Sequence, residues 1–152
     1  MSNQVPAWQG PILDNHFHLN RNGRYLDAAH DFKRAGGTNI VLIHCPDFAS
    51  PPTTKEGHRA AYQNTIAMAE SVRSELDLHV RVVLGPHPAA FAHQFIAWVE
   101  QDGAKGKNRA IENYRDSIDE AVKFYHEGKA HAIGEVGRPH WEVSKEIWDL
   151  SN

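Results

Sequence analysis

The feature that most limits what this chain can become is a regular alternation of short apolar runs with longer amphipathic ones. Runs at 12–18, 39–44, 80–84 and 130–136 have strand length and are rich in Ile, Val and Leu. Between them lie stretches of helical periodicity at about 24–35, 55–76, 89–100 and 111–126, with a last amphipathic stretch at 143–150. Gly36-Gly37 and Gly128 are stop signals for two of these helices, and 102–108, with two glycines and two lysines, reads as a polar loop. The run at 39–44 shows no alternation and is expected to be buried on both faces, as parallel strands are. The order β-α-β-α-β-α-α-β-α is that of a parallel sheet with covering helices. Four such units are half of a (β/α)8 barrel of roughly 250 residues. The expected fold is therefore α/β, a partial TIM barrel of about four βα units forming one domain over 1–152. An open flavodoxin-like sheet is the competitor. It needs a glycine-rich phosphate loop after the first strand, and Asn15-His16-Phe17-His18 is not one.

At 152 residues, 41% apolar and 23% charged, the chain can bury a core of its own. A formal net charge of -3 and a pI near 6.4 disfavour a broad basic face that coats nucleic acid. They do not disfavour a nuclease that holds phosphate through metal ions. Cys45 is the only cysteine, so a disulfide within the chain is ruled out and a reducing compartment is expected. Residues 1–10 lack the basic start and apolar run of a secretory signal. No run approaches the roughly 18 apolar residues of a membrane span. The expectation is a cytoplasmic protein with no membrane partner.

Histidine is over-represented, with eleven in the chain, and its placement matters more than its number. In parallel α/β folds the C-terminal ends of the strands share one face, and that face carries the chemistry. Each expected strand delivers a metal-binding or acid–base side chain there: His16 and His18, then His44, then His87, then Glu135 with His140. His16 and His18 are two residues apart on a strand, so they leave the same face and can grip one ion. Asp14 shares their parity and is placed to orient a histidine from behind. A strand that merely ends in polar residues is the alternative. Glu135 weighs against it, because a carboxylate in an apolar strand is costly to bury unless it is paired or coordinates a metal. A salt bridge to Arg138 is the other way to satisfy it.

His87, in Gly85-Pro86-His87-Pro88, is a catalytic candidate that binds a substrate anion or orients water, unless it serves only backbone carbonyls. His44 reads as a core residue. Arg138 and His140 are candidate substrate-binding residues, Arg138 because its fork takes phosphate or carboxylate bidentately. Solvated surface is their plainer role. Cys45 lacks a base partner and is not read as a nucleophile. His30, His58, His79, His93, His126 and His131 fall away from this face, and Phe91, Phe95 and Trp98 repeat at helical spacing as core.

The motifs Ile12-Leu13-Asp14-Asn15-His16-Phe17-His18, Gly85-Pro86-His87-Pro88 and Ile133-Gly134-Glu135-Val136-Gly137-Arg138-Pro139-His140 carry a resemblance over nearly the whole chain. The sequence resembles the TatD-related metal-dependent hydrolases of the amidohydrolase-like barrel superfamily, in particular the group described as archaeal-type predicted TIM-barrel hydrolases. The resemblance implies that His16 and His18 bind one divalent ion and that Glu135 bridges to a second, the ions being Zn, Mn or Mg. It also implies hydrolysis by a metal-activated water, with phosphodiesters of DNA as the best-known substrate class. Two departures stand out. Arg138-Pro139 replaces the Leu-Asp pair usual after the Gly-Glu-X-Gly element, and the two later histidines and the aspartate of the family site do not occur in this sequence.

The chain is thus expected to hold the N-terminal part of a hydrolase site for a small-molecule or phosphodiester substrate. Its open sheet edges are expected to pair with a second copy or a complementary half-barrel. The competing expectation is a non-catalytic metal-binding or dimerising half-barrel fragment.

Overall fold

Four parallel strands lie side by side in the order in which the chain makes them. In the computed structural model, which describes residues 8–151, the elements are β1 (Leu13–Phe17), α1 (Tyr25–Arg34), β2 (Asn39–Ile43), α2 (Lys55–Leu76), β3 (His79–Leu84), α3 (Pro88–Asp102), α4 (Ala104–His126), β4 (Ala132–Ile133) and α5 (Lys145–Leu150). Most of the stretch read above for a leader, residues 1–7, lies outside the described residues. The sheet order β1-β2-β3-β4 has no reversal. A doubly wound sheet reverses at a switch point, so consecutive order excludes the flavodoxin-like competitor and matches part of a barrel.

Helices cover one face of the sheet. Ile40 and Leu42 of β2 and Val80, Val82 and Leu84 of β3 pack with Met68, Ala69, Val72 and Leu76 of α2 and with Ala121 and Phe124 of α4. Full burial of side chains such as Val82, Leu84 and Phe124 contributes about 1.5–3 kcal/mol each. A second cluster, Phe91, Ala92, Phe95, Ala110 and Ile147, joins α3, α4 and α5. The opposite sheet face is more open: Leu13 and Arg81 are exposed, and Val41 and Val83 are half-buried. Burial of β2 on both faces, expected from its unbroken run, is found only at its carboxyl end, where Ile43 is buried along with Leu42. Its Asn39 and Val41 lack a covering layer among the described residues.

Local signals set the ends of these elements. The Thr54 hydroxyl accepts from Gly57 N–H at 3.1 Å and starts α2, whose bounds match the sequence reading. Pro88 opens α3, where its missing N–H costs nothing. The polar loop expected at 102–108 is instead a single residue, Gly103, with α4 beginning at Ala104. Gly103 closes α3 and opens α4 at φ 56 and ψ -127, a conformation that other residues rarely adopt. The fourth strand is also shorter than the expected 130–136, because only Ala132 and Ile133 pair in register with β3.

Tyr25, the first residue of α1, sits at φ 38, and its hydroxyl is a buried side-chain oxygen with no hydrogen-bond partner among the described residues. Burying an unpaired hydroxyl is unfavourable by about 1–3 kcal/mol. Tyr25→Phe keeps the ring and removes the orphan group. It is expected to raise stability by about 1 kcal/mol, read as a higher midpoint in thermal or urea unfolding. A lower midpoint would mean that the hydroxyl has a partner in solution.

Candidate metal centre

The carboxyl ends of β1, β3 and β4 bring four polar side chains to one point. Glu135 Oε1 lies 2.6 Å from His16 Nε2 and 4.0 Å from His18 Nε2, while Glu135 Oε2 lies 3.2 Å from His87 Nε2. His16, His18 and Glu135 each offer one ligand atom, and these atoms lie within 4.8 Å of one another. The glutamate side chain is 24% exposed, so the group is open to solvent on one side without being a free surface charge.

Local structure explains how each side chain gets there. Leu13, Asp14 and Phe17 of β1 register with Asn39, Ile40 and Leu42 of β2, so a bulge falls between Asp14 and Phe17. Three residue steps on β1 oppose two on β2, which breaks the simple alternation assumed for Asp14, His16 and His18. Asp14 Oδ1 accepts from the backbone N–H of His16 at 2.9 Å, so it steadies the main chain at the ligand. The imidazole of His18 is oriented by a different group: its Nδ1 meets the Ile43 carbonyl at 3.1 Å. A carbonyl only accepts, so Nδ1 carries the proton and Nε2 presents a lone pair.

The opposite tautomer holds for His87. Its Nδ1 accepts from Ala89 N–H at 3.1 Å and caps α3, so the neutral ring keeps its proton on Nε2, directed at Glu135. Burial keeps the His87 imidazole below the usual histidine range, the Glu135 carboxylate opposing the shift and His18 and His16 adding to it. His87 is therefore a neutral hydrogen-bond donor at neutral pH rather than a ready base. Glu135 follows β4, where Gly134 N–H donates to the Leu84 carbonyl at 2.9 Å. A Cβ on Gly85 would lie 2.8 Å from the Gly134 carbonyl oxygen, so this close approach of the β3 and β4 ends requires a glycine.

The remaining candidates are His44, Cys45, Arg138 and His140, and no distance among the described residues places Arg138 or His140 in the cluster. His44 is buried, with Nδ1 2.8 Å from the Thr65 hydroxyl, and burial above all, then the nearby histidines, lowers its pKa to about 4. It lines a cavity of about 40 Å³ with His58, Tyr62, Asn113, Ser117 and His87. That is room for about two or three waters. The Arg138 guanidinium lies 3.2 Å from the centre of the Trp148 ring, and His140 meets Trp141 edge-on at 5.0 Å. The Cys45 thiol is raised by partial burial and by Glu135, which disfavours the thiolate a nucleophile needs.

Sequence reasoning missed the Ile43 carbonyl and the network about Asn113, since backbone acceptors and buried amides leave no local pattern. Asn113 takes His58 Nε2 at 3.0 Å and donates to the Pro52 carbonyl at 3.1 Å and to Gln94 Oε1 at 2.7 Å. It thereby ties the loop after β2 to α2, α3 and α4.

The donor set suits a divalent cation. Ligands about 2.0–2.2 Å from one tetrahedral ion lie roughly 3–4 Å from each other. Here Glu135 Oε1 is 2.6 Å from His16 Nε2 and 4.0 Å from His18 Nε2, and all three ligand atoms lie within 4.8 Å, so modest side-chain shifts would bring them to ligating distances. Two imidazoles with one carboxylate favour Zn or Mn over Ca. Among the described residues no helix is long and apolar enough to cross a membrane.

The family model of TatD related DNases matches residues 13–152. An uncharacterized protein of Methanocaldococcus jannaschii is 27% identical over 145 residues, which cover 93% of this chain and 47% of that relative. The chain thus spans about half the length of the curated relative it matches. No solved structure matches the chain at a significant level. A parallel sheet in barrel order, two imidazoles and a glutamate at its carboxyl rim, and a family match over residues 13–152 lead to one conclusion: the chain belongs to the TatD-related DNase family, a family of metal-dependent hydrolases.

Proposed function

We propose that this chain carries the N-terminal share of a divalent-metal hydrolase centre in which His16, His18 and Glu135 are the ligands. The observation that carries the proposal is the convergence of one carboxylate, from the end of β4, with three imidazoles from the ends of β1 and β3. Glu135 supplies the negative charge that two neutral imidazoles lack. When bound, the metal lowers the pKa of water and polarises the bond attacked. His18 is held in the ligating tautomer by the Ile43 carbonyl, and Asp14 fixes the backbone that presents His16. His87 directs an N–H toward the same point and is placed to donate to an oxygen that gains charge during hydrolysis.

The family match favours phosphodiesters, including those of DNA, as substrates, and Glu135, with two carboxylate oxygens, is the residue that would hold a second divalent ion. Further ligands come from a complementary half-barrel or a second copy of the chain. The open sheet face and the match to half of a longer relative support that assembly. Arg138 and His140 remain the candidate clamp for the substrate phosphate, and the protein acts in the cytoplasm.

The test is hydrolysis of a simple phosphodiester by the assembled protein, stopped by a chelator and restored by Zn or Mn. His87→Asn can still cap α3 but removes the directed ring N–H. It is expected to lower kcat about 100-fold, with metal content and KM little changed. Activity that survives chelation would overturn the metal reading, and an unchanged kcat would remove His87 from the chemistry.

A further inference from the structure

Beside the metal centre the loops after β1 and β2 leave a groove that the mechanism above does not use. Asn20, Arg21, Asn64, Asp47 and Phe48 are among its walls, together with Leu19, the residue that follows His18. Arg21 is held in place without an acid. Its Nε donates to Asn64 Oδ1 at 2.5 Å, and its guanidinium lies 5.1 Å from the centre of the Tyr25 ring. Arg24, Arg34, Arg59 and Arg73 each pair with a carboxylate, whereas Arg21, like Arg81, Arg109 and Arg115, has no ion pair among the described residues; of these four, Arg21 is the one in the groove. One edge and one face of its planar group are fixed, and the two terminal nitrogens are left for an acceptor. The acid in the groove, Asp47, is engaged in its own turn, accepting from Ala49 N–H at 2.9 Å.

Phe48 is the other half of the groove. It is 52% exposed, and its ring stands edge-on to His87 at 5.1 Å. The loop that carries it includes Pro46, Pro51 and Pro52, and Asn113 fixes the Pro52 carbonyl, so the exposed ring is held rather than swinging free. Tyr25, beneath Arg21, sits at a left-handed φ of 38, a conformation that is uncommon for a bulky residue and clusters at ligand clamps.

The geometry points to a substrate subsite in this groove, in which Arg21 takes an oxyanion and Phe48 stacks a planar apolar group beside His87. The ligand class is an aromatic compound bearing phosphate or carboxylate. This inference rests on the reading of the adjoining rim as the active face. An arginine fork meets either anion bidentately, and aromatic stacking supplies affinity for the planar part.

The test uses the full chain with its metals removed by chelator, so that anion binding reports the groove and not a bound ion. Phenyl phosphate, inorganic phosphate and benzoate are titrated while the amide and Arg21 side-chain NMR signals are followed. Phenyl phosphate is expected to bind more tightly than inorganic phosphate and to shift Arg21 and Phe48. Arg21→Ala should weaken phenyl phosphate and inorganic phosphate alike by about tenfold or more, and Arg21→Lys by less. Phe48→Ala should abolish the advantage of the phenyl group and leave inorganic phosphate unchanged. Benzoate binding in place of phenyl phosphate would assign the same subsite to carboxylates.

Unchanged binding in Arg21→Ala, or no shift at Arg21 and Phe48 with any of the three, overturns the subsite. Metal retention by Arg21→Ala, measured separately, tells the two failures apart. A subsite can fail while the wild-type chain still holds metal, and a chain that holds no metal fails the centre whatever the anions do.

Discussion

Glu135→Ala is expected to strip the chain of divalent metal while leaving the fold intact. The side chain is no part of either apolar cluster, so its removal opens no core cavity. What is lost is the one negative charge among the ligand atoms and the group that His16, His18 and His87 all face. Losing even an outer partner of a metal ligand typically weakens affinity by 10–100-fold, so loss of the ligand itself should exceed about 100-fold. Glu135→Gln is the sharper variant. It keeps the volume and an oxygen for the His87 N–H while deleting the charge, so a similar loss there assigns the effect to electrostatics rather than to packing.

Two measurements check this: metal content after gel filtration, and the shift of the unfolding midpoint when Zn or Mn is added. A ligand at 100 times its Kd stabilises the native state by about 2.7 kcal/mol. For a domain of this size that is a rise of roughly 5–10 °C, and it should vanish in Glu135→Ala. Metal content and midpoint shift equal to wild type would place the centre elsewhere.

The placement of these groups was readable in the sequence because a parallel sheet delivers strand-end residues to one rim. His16, His18, His87 and Glu135 are far apart in the chain, and only the βα rhythm says that they should meet. The rhythm is carried by apolar periodicity, which survives local irregularity, and α2 shows it most clearly, from Lys55 to Leu76. What the rhythm does not carry is the fine geometry. Parity put Asp14 on the same side as the histidines, whereas the bulge in β1 gives it a role at the backbone of His16. A bulge is a product of pairing with β2 and leaves no mark in a single strand. The Ile43 carbonyl orients His18 through main-chain atoms, which have no residue type to recognise.

The 102–108 segment failed for a different reason. Two glycines and two lysines read as a loop by composition, but the glycines have unrelated jobs. Gly103 makes the whole turn between α3 and α4, and Gly106 lies inside α4 as a point of contact. Arg21 was legible by the strand-end rule that drew attention to Arg138, since it stands three residues beyond His18.

That second glycine carries the largest expected effect on stability. In an exposed helix interior, Gly→Ala gains up to about 1 kcal/mol. At Gly106 the sign should reverse. A Cβ there would overlap the carbonyl of Trp98, and those are main-chain atoms of α3 that cannot rotate away. The two helices are joined by Gly103 alone, so they cannot separate without straining the turn. Separation would also open the cluster of Phe91, Phe95, Ala110 and Ile147.

Overpacking of this kind typically costs 1–3 kcal/mol, and rigid backbone on one side puts Gly106→Ala near the top, about 3 kcal/mol. The unfolding midpoint should fall by roughly 6–12 °C. Gly23→Ala is the control, because a Cβ there meets nothing closer than 3.6 Å, and it should change stability by no more than about 0.5 kcal/mol. Below its lowered midpoint Gly106→Ala should still bind metal, since the centre is built on the strand ends and not on the α3–α4 contact. Wild-type stability in Gly106→Ala would mean that α3 and α4 do not meet through Trp98 and Gly106.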